Sequence, residues 1–361
     1  MGMSSLPSSQ RGIVQDATGK LQLVDGIPLP KLLAGTVIVR VAAVALNPSD
    51  YKMHAAFPMP GAVVGNDFAG TIVAVAEGTT TDLKPGDLVC GAVNSYNREA
   101  PEDGAFAEFV RIPVEILCRM TEVDIPIEKA ATLGTALATC SLALWATDAL
   151  NIPSTPDTPS LQVEPIPVLV YGGSSASGTM AIQLLRLSGL DPIATCSPHN
   201  FELVRSYGAS AVFDYTDTNT SVAIKAHTRG RLKYVLDCIS DEQSVRCCYG
   251  AIARTGGRYT SLELVPDELL ATRRAVQASF VMAFEVLGQE IKLPGGYGKP
   301  ADPGKRELSI RCFAIYQRLL NEGKLRTHPT QLLEAGLESV LNGLALLKSG
   351  TISGKKLIVS L

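Results

Sequence analysis

The feature that most constrains the fold is a regular alternation of short apolar strands and helices in the second half of the chain. PVLVYGG, at residues 167–173, predicts a buried strand, and the segment after it predicts a helix over residues 178–189. Further strands are predicted at 191–197, 211–215, 233–239 and 256–262, and a further helix at 201–209. Continuous apolar strands that alternate with helices indicate a parallel sheet covered on both faces. The fold class is therefore predicted to be α/β, with a doubly wound sheet.

The first part of the chain has a different pattern. Short strands between glycine-bearing turns are predicted at 36–46, 70–76 and 86–92, and their close spacing indicates an antiparallel, barrel-like lobe. Alanine and leucine then dominate residues 127–150 at helical spacing. A segment rich in Pro, Ser and Thr follows at 151–167 and predicts a domain boundary.

The end of the chain is predicted to return to the first lobe. Residues 306–322 and 331–348 have helical patterns, and KKLIVSL closes the chain as a strand. We therefore expect two lobes with a cleft between them. The β-rich domain is predicted to comprise residues 1–165 and 310–361, and the sheet domain residues 166–309.

Composition excludes several classes of protein. The chain has 361 residues, 46% of them hydrophobic and 19% charged, with a net charge of -3. This composition supplies a large core and lacks the basic stripe of a nucleic-acid-binding protein. No apolar stretch reaches the roughly 18 residues that span a bilayer. The start MGMSSLPSSQ lacks the basic and apolar parts of a signal peptide, so we expect a cytoplasmic protein with no membrane partner.

Cysteine and histidine usage predicts neither disulfides nor a metal site. The eight cysteines are scattered through apolar segments, which is typical of buried free thiols. There is no C-x-x-C pair, and the four histidines lack the spacing of metal ligands.

The strongest candidate site is the turn YGGSSASG between the first strand and helix of the sheet region. In dinucleotide-binding folds, glycines at this turn allow a tight bend, close approach of the backbone to pyrophosphate, and close helix packing. Gly172 and Gly178 fit the first and last of these roles, and small residues replace the middle glycine. Such a turn alone is as often structural, but the alternation after it favours a phosphate site.

The end of the second strand indicates which nucleotide is bound. Enzymes specific for NAD usually place an acid there to hold the ribose 2′-hydroxyl, and that charge repels a 2′-phosphate. Residues 195–200, TCSPHN, contain no acid. We therefore predict NADPH, with Ser197, His199 and Asn200 as donors to its phosphate. The alternative for His199 is an exposed residue at a helix start without a role.

Several phrases resemble the medium-chain dehydrogenase/reductase superfamily in its zinc-free quinone and enoyl reductase branch. They are ALNPSDYK at 45–52, GNDFAGTIVAV at 65–75, KPGDLV at 84–89, GAFAEFV at 104–110, DCI at 237–239 and SGKKLIV at 353–359. YGGSSASG, LRLSG, IATCSPHN and FDY are similar to the trans-acting enoyl reductases of fungal polyketide synthases, the lovastatin type. The resemblance implies a GroES-like, β-rich catalytic domain joined to a Rossmann domain that binds NADPH.

The chain departs from the zinc alcohol dehydrogenases at the zinc ligands. Pro48 or Ser49 stands where those enzymes have a catalytic cysteine, and their Gly-His-Glu becomes Gly65, Asn66 and Asp67. Without that Lewis acid, alcohol oxidation at zinc is not expected, and conjugate reduction remains.

The resemblance implies reduction of an α,β-unsaturated thioester. Hydride from NADPH adds to the β-carbon, negative charge develops on the thioester oxygen, and a proton from solvent reaches the α-carbon. Lys52 is the candidate catalytic residue, and its alternative is a solvated surface lysine. Asp50 fits a turn or cap better than a general acid, because a carboxyl with an ordinary pKa is ionised at neutral pH.

By the same resemblance, the other site residues fall into two groups. The cofactor-binding group is Ser49, Asp50, Tyr51, Lys52, Ser174, Ser175, Ala176, Ser177, Ser197, Pro198, His199, Asn200, Tyr215, Leu262, Glu263, Thr351 and Ile352. The substrate-binding group is Thr139, Cys140, Ser141, Leu142, Ala143, Leu144, Trp145, Ala146, Met282, Ala283, Phe284, Glu285 and Val286. For the second group, packing inside a helical core is an equal alternative.

The resemblance also implies a partner. A trans-acting enoyl reductase meets its acyl chain on the carrier protein of a polyketide synthase or a synthase-peptide synthetase hybrid. A free-standing NADPH-dependent quinone or enone reductase and a non-catalytic NADPH-binding protein stay open as alternatives. Arg254, Arg258, Arg273 and Arg274 are candidates for a basic patch toward an acidic carrier, although a solvated arginine face is the favoured interpretation. The Pro/Gly-rich stretch at 293–304 favours a monomer, because such backbone protects a sheet edge.

Overall fold

Strands and helices alternate along the computed structural model, which describes residues 6–361. The strands are β1 (Gln10–Gln15), β2 (Leu21–Ile27), β3 (Thr36–Ala45), β4 (Asp67–Val75), β5 (Leu88–Ala92), β6 (Phe109–Pro113), β7 (Leu117–Arg119), β8 (Pro167–Tyr171), β9 (Asp191–Cys196), β10 (Ala211–Asp214), β11 (Tyr234–Asp237), β12 (Gly257–Ser261), β13 (Val276–Phe280), β14 (Thr330–Leu332) and β15 (Lys356–Ser360). The α-helices are α1 (Pro48–Ala56), α2 (Ile127–Ala130), α3 (Gly134–Trp145), α4 (Ala176–Leu187), α5 (Phe201–Ser206), α6 (Thr220–His227), α7 (Glu242–Ala251), α8 (Asp267–Leu270), α9 (Pro303–Asn321) and α10 (Glu338–Lys348). Short 3-10 helices lie at Val114–Ile116, Pro198–Asn200 and Ala283–Leu287.

The chain divides into two compact units. Unit 1 contains the described part of Met1–Thr135 together with Glu290–Ala301 and Tyr316–Leu361. Unit 2 contains Ala136–Gln289 and Asp302–Ile315. These units are defined by packing, and the limits given above for the functional domains stay a prediction.

Unit 2 is built on a six-stranded sheet in the order β10-β9-β8-β11-β12-β13. Every neighbouring pair is parallel, as the alternation of strands and helices predicts. In the register of the sheet, Tyr171 lies beside Thr195 on β9 and beside Asp237 on β11. The carboxyl ends of these strands therefore share one edge, which is where open α/β sheets bind their ligands.

The apolar runs of the sequence become the core of unit 2. Leu169, Val235 and Tyr259, from three adjacent strands, are fully buried together with Ile224 of α6 and Cys248 of α7. Burial of a large apolar side chain contributes roughly 1.5–3 kcal/mol relative to leaving it in water. Apolar contacts between the central strands and the helices on their faces therefore hold the sheet together.

Unit 1 contains an antiparallel arrangement around β3. Its seven-stranded sheet has the order β14-β15-β3-β4-β5-β7, and β6 also pairs with β3. Val39 and Val44 of β3 are fully buried in one core with Phe68 and Phe106. The predicted return of the last strand is confirmed, because Ile358 of β15 lies opposite Ala45 of β3. The strands β1 and β2 form a separate two-stranded sheet.

The helices differ from the predictions in several places, and α6, α7 and α8 were not predicted individually. Residues 127–150 form two helices, α2 and α3, and not one. Helix α3 begins in close contact with β5, because a Cβ added to Gly134 would lie 2.2 Å from the carbonyl carbon of Gly91. Residues 331–348 begin with β14, which pairs with β15, and helix α10 starts only after it. Helix α1 was not predicted, because NPSD is also typical of a turn.

Within residues 6–361, no helix combines the length and the apolar character needed to cross a membrane. The eight cysteines are free thiols, six of them buried.

Candidate active site

The turn between β8 and α4 has almost no space for side chains. Gly172 has a φ of +79°, which favours glycine, and a Cβ on it would lie 2.9 Å from Cγ1 of Ile239. A Cβ on Gly178 would lie 2.4 Å from the carbonyl oxygen of Gly172. The two glycines therefore allow the tight bend and the close packing of α4 on β8 that the sequence predicts.

The same turn presents backbone donors. Ser175 caps α4, because its Oγ accepts the N–H of Gly178 at 3.0 Å. In the part of the chain that the structure describes, the N–H groups of Ser174, Ala176 and Ser177 donate to no other group. Free N–H groups at a helix start, together with the helix dipole, bind anions such as phosphate. The residues present therefore fit the pyrophosphate of a dinucleotide.

The end of β9 is the predicted position of the 2′-phosphate. Ser197 is half-buried, Pro198 and His199 are exposed, and Asn200 is buried. The amide nitrogen of Asn200 lies 3.3 Å from Nε2 of His199, so these two side chains contact each other. The four predicted residues lie together in one short turn at the edge of the sheet.

A cation that sequence reasoning missed lies beside this turn. The guanidinium carbon of Arg205, an exposed side chain of α5, lies 5.5 Å from the ring centroid of Phe201. Burial raises the pKa of the Cys196 thiol to about 12, while the charge of Arg205 acts in the opposite direction and that of Asp214 adds to the rise. Arg205 is therefore close to the end of β9. The spacing of four residues from Phe201 is the sequence signal that could have indicated it.

Tyr215 lies just beyond β10. Its ring centroid is 6.4 Å from that of Tyr171, and its carbonyl accepts the side-chain amide of Gln243 at 3.0 Å. Tyr215 is thus held near the end of β8, at the same edge as Gly172.

Leu262 and Glu263 follow β12 at this edge. The N–H of Leu262 donates to the hydroxyl of Ser240 at 3.1 Å and to the carbonyl of Asp237 at 3.2 Å. The carboxylate of Glu263 accepts the N–H of Leu264 at 3.0 Å. Unit 2 therefore places the predicted cofactor residues after strands β8, β9, β10 and β12.

Unit 1 carries the predicted residues of helix α1. The hydroxyl of Tyr96 donates to the carbonyl of Ser49 at 2.9 Å. Tyr51 is half-buried and Lys52 is exposed. An exposed Lys52 could reach a ligand, but a surface lysine without a role would be exposed in the same way. Its catalytic role therefore stays a prediction.

Asp50 is used inside the fold. Its carboxyl is fully buried and accepts the N–H of Asn47 at 2.7 Å and the side-chain amide of Asn66 at 2.9 Å. The first contact stabilises the start of α1, as the cap interpretation requires. Burial raises the pKa of Asp50 to about 7, the hydrogen bond from Asn47 lowers it, and the charge of Asp67 raises it further.

The raised pKa makes Asp50 a source of pH-dependent stability. The unfolded-state value is 3.8, so between about pH 4 and 7 the folded chain binds a proton that the unfolded chain has released. The stability that this proton provides is complete below pH 4 and is lost as the pH rises through 7. We expect the free energy of unfolding of the native protein, minus that of Asp50→Asn, to fall by up to about 1.4 kcal/mol per pH unit over this range.

Urea denaturation of both proteins from pH 4 to 8 measures this difference. His54 and His328 titrate in both proteins, with pKa values lowered by burial to about 4, and therefore cancel in the difference. A difference that does not change with pH would contradict the assignment.

The last two cofactor residues lie between α10 and β15 in unit 1. The hydroxyl of Thr351 lies 2.9 Å from that of Ser349, and Ile352 packs against the core of this unit. Their role at a nucleotide stays a prediction.

The first predicted substrate segment is buried in unit 2. Each of its residues is at most 7% exposed: Thr139, Cys140, Ser141, Leu142, Ala143, Leu144, Trp145 and Ala146. The thiol of Cys140 donates to the carbonyl of Ser177 at 3.7 Å, and Nε1 of Trp145 donates to the carbonyl of Ser154 at 2.9 Å. The helix therefore packs against the start of α4, and core packing accounts for this burial without a substrate.

The second predicted substrate segment is held by a buried ion pair. Met282, Glu285 and Val286 are buried, while Ala283 and Phe284 are half-buried. Glu285 accepts the N–H of Met282 at 2.8 Å and contacts Nζ of Lys305 at 2.6 Å. Nζ of Lys305 also contacts Asp148 at 2.7 Å. The carboxylate of Glu285 thus fixes the segment that carries Phe284.

The residues at the place of the zinc ligand motif are bonded to other side chains of unit 1. Asn66 donates to Asp50 and accepts the hydroxyl of Ser95 at 2.9 Å. Asp67 is fully buried and contacts Nζ of Lys356 at 2.5 Å. Among residues 6–361, no three His, Cys, Asp or Glu side chains form a group that could hold a metal ion.

Comparison with protein families identifies both parts of the chain. A model of the alcohol dehydrogenase GroES-like domain matches residues 33–122, and a model of the zinc-binding dehydrogenase family matches residues 176–293. The predicted fold is thereby confirmed. A GroES-like domain and a parallel nucleotide-binding sheet define the medium-chain dehydrogenase/reductases, which are pyridine-nucleotide-dependent oxidoreductases.

Individual relatives narrow the assignment. The trans-enoyl reductase TwmE of Talaromyces wortmannii is 51% identical over 359 residues, with 97% of each chain covered. The trans-enoyl reductase FSL5 of Gibberella zeae is 46% identical and covers 99% of this chain and 98% of its own. The chain belongs to the trans-enoyl reductase family, and the predicted resemblance is confirmed.

Solved structures share the fold at lower identity. The CurK enoyl reductase matches with a TM-score of 0.71 at 19% identity, covering 98% of each chain. The human synaptic vesicle membrane protein VAT-1 homolog-like protein matches with a TM-score of 0.72 at 20% identity, covering 98% of this chain and 99% of its own.

Proposed function

We propose that the protein is a trans-acting enoyl reductase that uses NADPH to reduce the α,β-unsaturated thioester of a carrier-bound polyketide intermediate. The observation that carries the proposal is the anion-binding turn at the start of α4, in a chain 51% identical to a trans-enoyl reductase over nearly its full length. The partner is the carrier protein of a polyketide synthase, because a reductase acting in trans needs its acyl chain presented to it.

The chain's own residues bind, orient and shield the reactants. NADPH, when bound, supplies the hydride that adds to the β-carbon of the substrate. The free N–H groups of the phosphate turn anchor its pyrophosphate. Lys52 holds a ribose or nicotinamide-side group of the cofactor and relays the α-carbon proton from solvent. Asp50 does not donate this proton, since Asn47 and Asn66 hold its carboxyl.

The end of β9 supports NADPH rather than NADH. Residues 195–200 contain no acid, and Ser197 is accessible at their centre. Arg205 adds a positive charge beside the same turn. Asp214 is the neighbouring acid at the end of β10, and Oδ1 of its carboxylate accepts the N–H of Thr216 at 2.9 Å. A 2′-phosphate therefore meets a hydroxyl and a cation at this edge.

A negative charge at this turn should reverse the preference between the nucleotides. We expect Ser197→Asp to lower the affinity for NADPH relative to NADH by roughly 10-fold or more, because an added carboxylate repels the 2′-phosphate and accepts a hydrogen bond from a 2′-hydroxyl. Fluorescence titration with both nucleotides measures the ratio. Ser210→Asp is the matched control, since it adds the same charge at a position just before β10. The hydroxyl of the native Ser210 contacts the carbonyl of Pro192. An unchanged ratio in Ser197→Asp would remove this turn from the 2′-phosphate site.

The substrate side of the proposal is tested by turnover. NADPH oxidation is measured with short enoyl thioesters, free and loaded on the carrier protein of a polyketide synthase. A rate that rises strongly on the carrier supports action in trans. Equal rates on free thioesters and enones would support the free-standing reductase, and binding of NADPH without turnover would support a non-catalytic protein.

Two of the four arginines considered for carrier binding are used within unit 2. Arg258 donates to the carbonyls of Thr147 and Ala149, and Arg273 donates to carbonyls at the end of α7. Exposed Arg254 and Arg274 remain available to a partner. We propose a cytoplasmic monomer, as the sequence predicts.

A further inference from the structure

One buried carboxylate joins distant parts of unit 1. Asp67, the first residue of β4, is fully buried, and its Oδ2 contacts Nζ of Lys356 at 2.5 Å and Nδ2 of Asn47 at 3.0 Å. Its Oδ1 accepts the backbone N–H of Thr135 at 2.6 Å. Both oxygens are therefore used, and the three donors come from separate segments of the chain.

Two of these donors lie at helix starts. Asn47 directly precedes α1, and Thr135 is the second residue of α3. The first N–H groups of a helix lack partners within the helix, and a carboxylate placed there also interacts favourably with the helix dipole. Asp67 thus holds the start of α3 directly and the start of α1 through the side chain of Asn47.

The third donor balances the charge. Nζ of Lys356, a side chain that is 4% exposed, also donates to Oδ1 of Asn47 at 2.7 Å. A fully buried carboxylate without a neighbouring cation would be strongly disfavoured. The amide of Asn47 therefore lies between the two charges and is fixed by both.

We propose that Asp67 is a positioning residue for the reductase reaction, which fixes the starts of α1 and α3 relative to each other. The proposal rests on the proposed function, in which α1 carries Lys52. Displacement of reacting groups by about 1 Å can lower a rate about 100-fold. A residue that touches no reactant would then control turnover through the placement of α1.

The test compares two buried acids of unit 1. In Asp67→Asn, an amide NH₂ replaces one carboxylate oxygen, so the three donors cannot all be satisfied. Asp87→Asn is the matched control, because Asp87 is 2% exposed, contacts Arg119 at 3.1 Å, accepts the N–H of Lys84 and bonds to neither helix start. For each variant, we measure kcat with an enoyl thioester, Kd for NADPH, the folded fraction, and hydrogen exchange of the amides near the two helix starts.

We expect Asp67→Asn to lower kcat 10- to 100-fold per folded molecule, with a smaller rise in Kd for NADPH because α1 also carries the predicted cofactor residues 49–52. Amide exchange should rise at residues 48–52 and 135–139 in this variant and stay at the native level there in Asp87→Asn. Equal losses of kcat in the two variants, or unchanged exchange at both helix starts, would overturn the proposal.

A second variant covers the case in which Asp67→Asn does not fold. Asn47→Ser keeps a capping hydroxyl and the ion pair between Asp67 and Lys356 but removes the link to α1. Exchange should then rise at the start of α1 and not at the start of α3, and a rise at neither would contradict the proposal. If the native protein shows no turnover with any thioester, the proposed function fails, whereas the exchange results still decide whether Asp67 holds the two helices.

Discussion

Gly178→Ala is expected to lower the affinity for NADPH about 100-fold, which corresponds to about 2.8 kcal/mol. The added Cβ would lie 2.4 Å from the carbonyl oxygen of Gly172 and 2.9 Å from Cα of Gly173, and these backbone atoms cannot move away as a flexible side chain can. Helix α4 must therefore shift from β8. Its first N–H groups, which we propose as the anion site, shift with it.

Gly250→Ala is the matched control for this prediction. Gly250 also lies in a helix of unit 2, so both substitutions gain up to about 1 kcal/mol of helix propensity. The nearest atoms to its added Cβ are those of the Ser221 side chain, at 3.0 Å. Fluorescence titration with NADPH should separate the two variants, and native affinity in Gly178→Ala would show that the turn does not hold the pyrophosphate.

Lys305→Met is expected to destabilise the protein by about 3–5 kcal/mol, because it leaves the carboxylate of Glu285 buried without its cation. Nζ of Lys305 contacts Glu285 at 2.6 Å, and the side chains are 9% and 4% exposed. The second contact, to Asp148, is with a carboxylate that is 57% exposed and loses little when it returns to water. The whole effect is therefore assigned to Glu285.

The double variant Lys305→Met with Glu285→Gln tests this reason. Glutamine keeps an oxygen that can accept the N–H of Met282 and carries no charge, so we expect the double variant to recover most of the lost stability. Urea denaturation of the single and double variants measures the recovery. Equal destabilisation of both would show that lost packing, and not the unpaired charge, is the cause.

The fold was predictable where one segment carries its own signal. The strands β8, β9 and β11 bury both faces, so their apolar runs indicate a parallel sheet without any partner being known. Strand β14 has no such signal, because its three residues are held only by parallel pairing with β15. Helix α1 was missed for another reason: the side chain of Asp50 caps it, and the same residue type is typical of turns.

The candidate site was predictable only in its local part. Gly172, Gly178 and the residues between them are neighbours in the chain, so their spacing alone indicates a phosphate turn. Asp67 and Lys356 are 289 residues apart, and no pattern within either segment indicates the contact. Arg205 was missed because its position beside Cys196 depends on how α5 returns along the sheet.

The place of β15 sets the order in which the molecule can be completed during synthesis. All strands of the unit 2 sheet lie between residues 167 and 280, so that sheet can form while later residues are still within the ribosome. The sheet of unit 1 cannot be completed until β15 has been synthesised, since β15 lies between β14 and β3 and ends at Ser360. Until then residues 43–45 of β3 lack their partner strand and Asp67 lacks its cation, so the newly made chain exposes an unpaired strand segment during this interval.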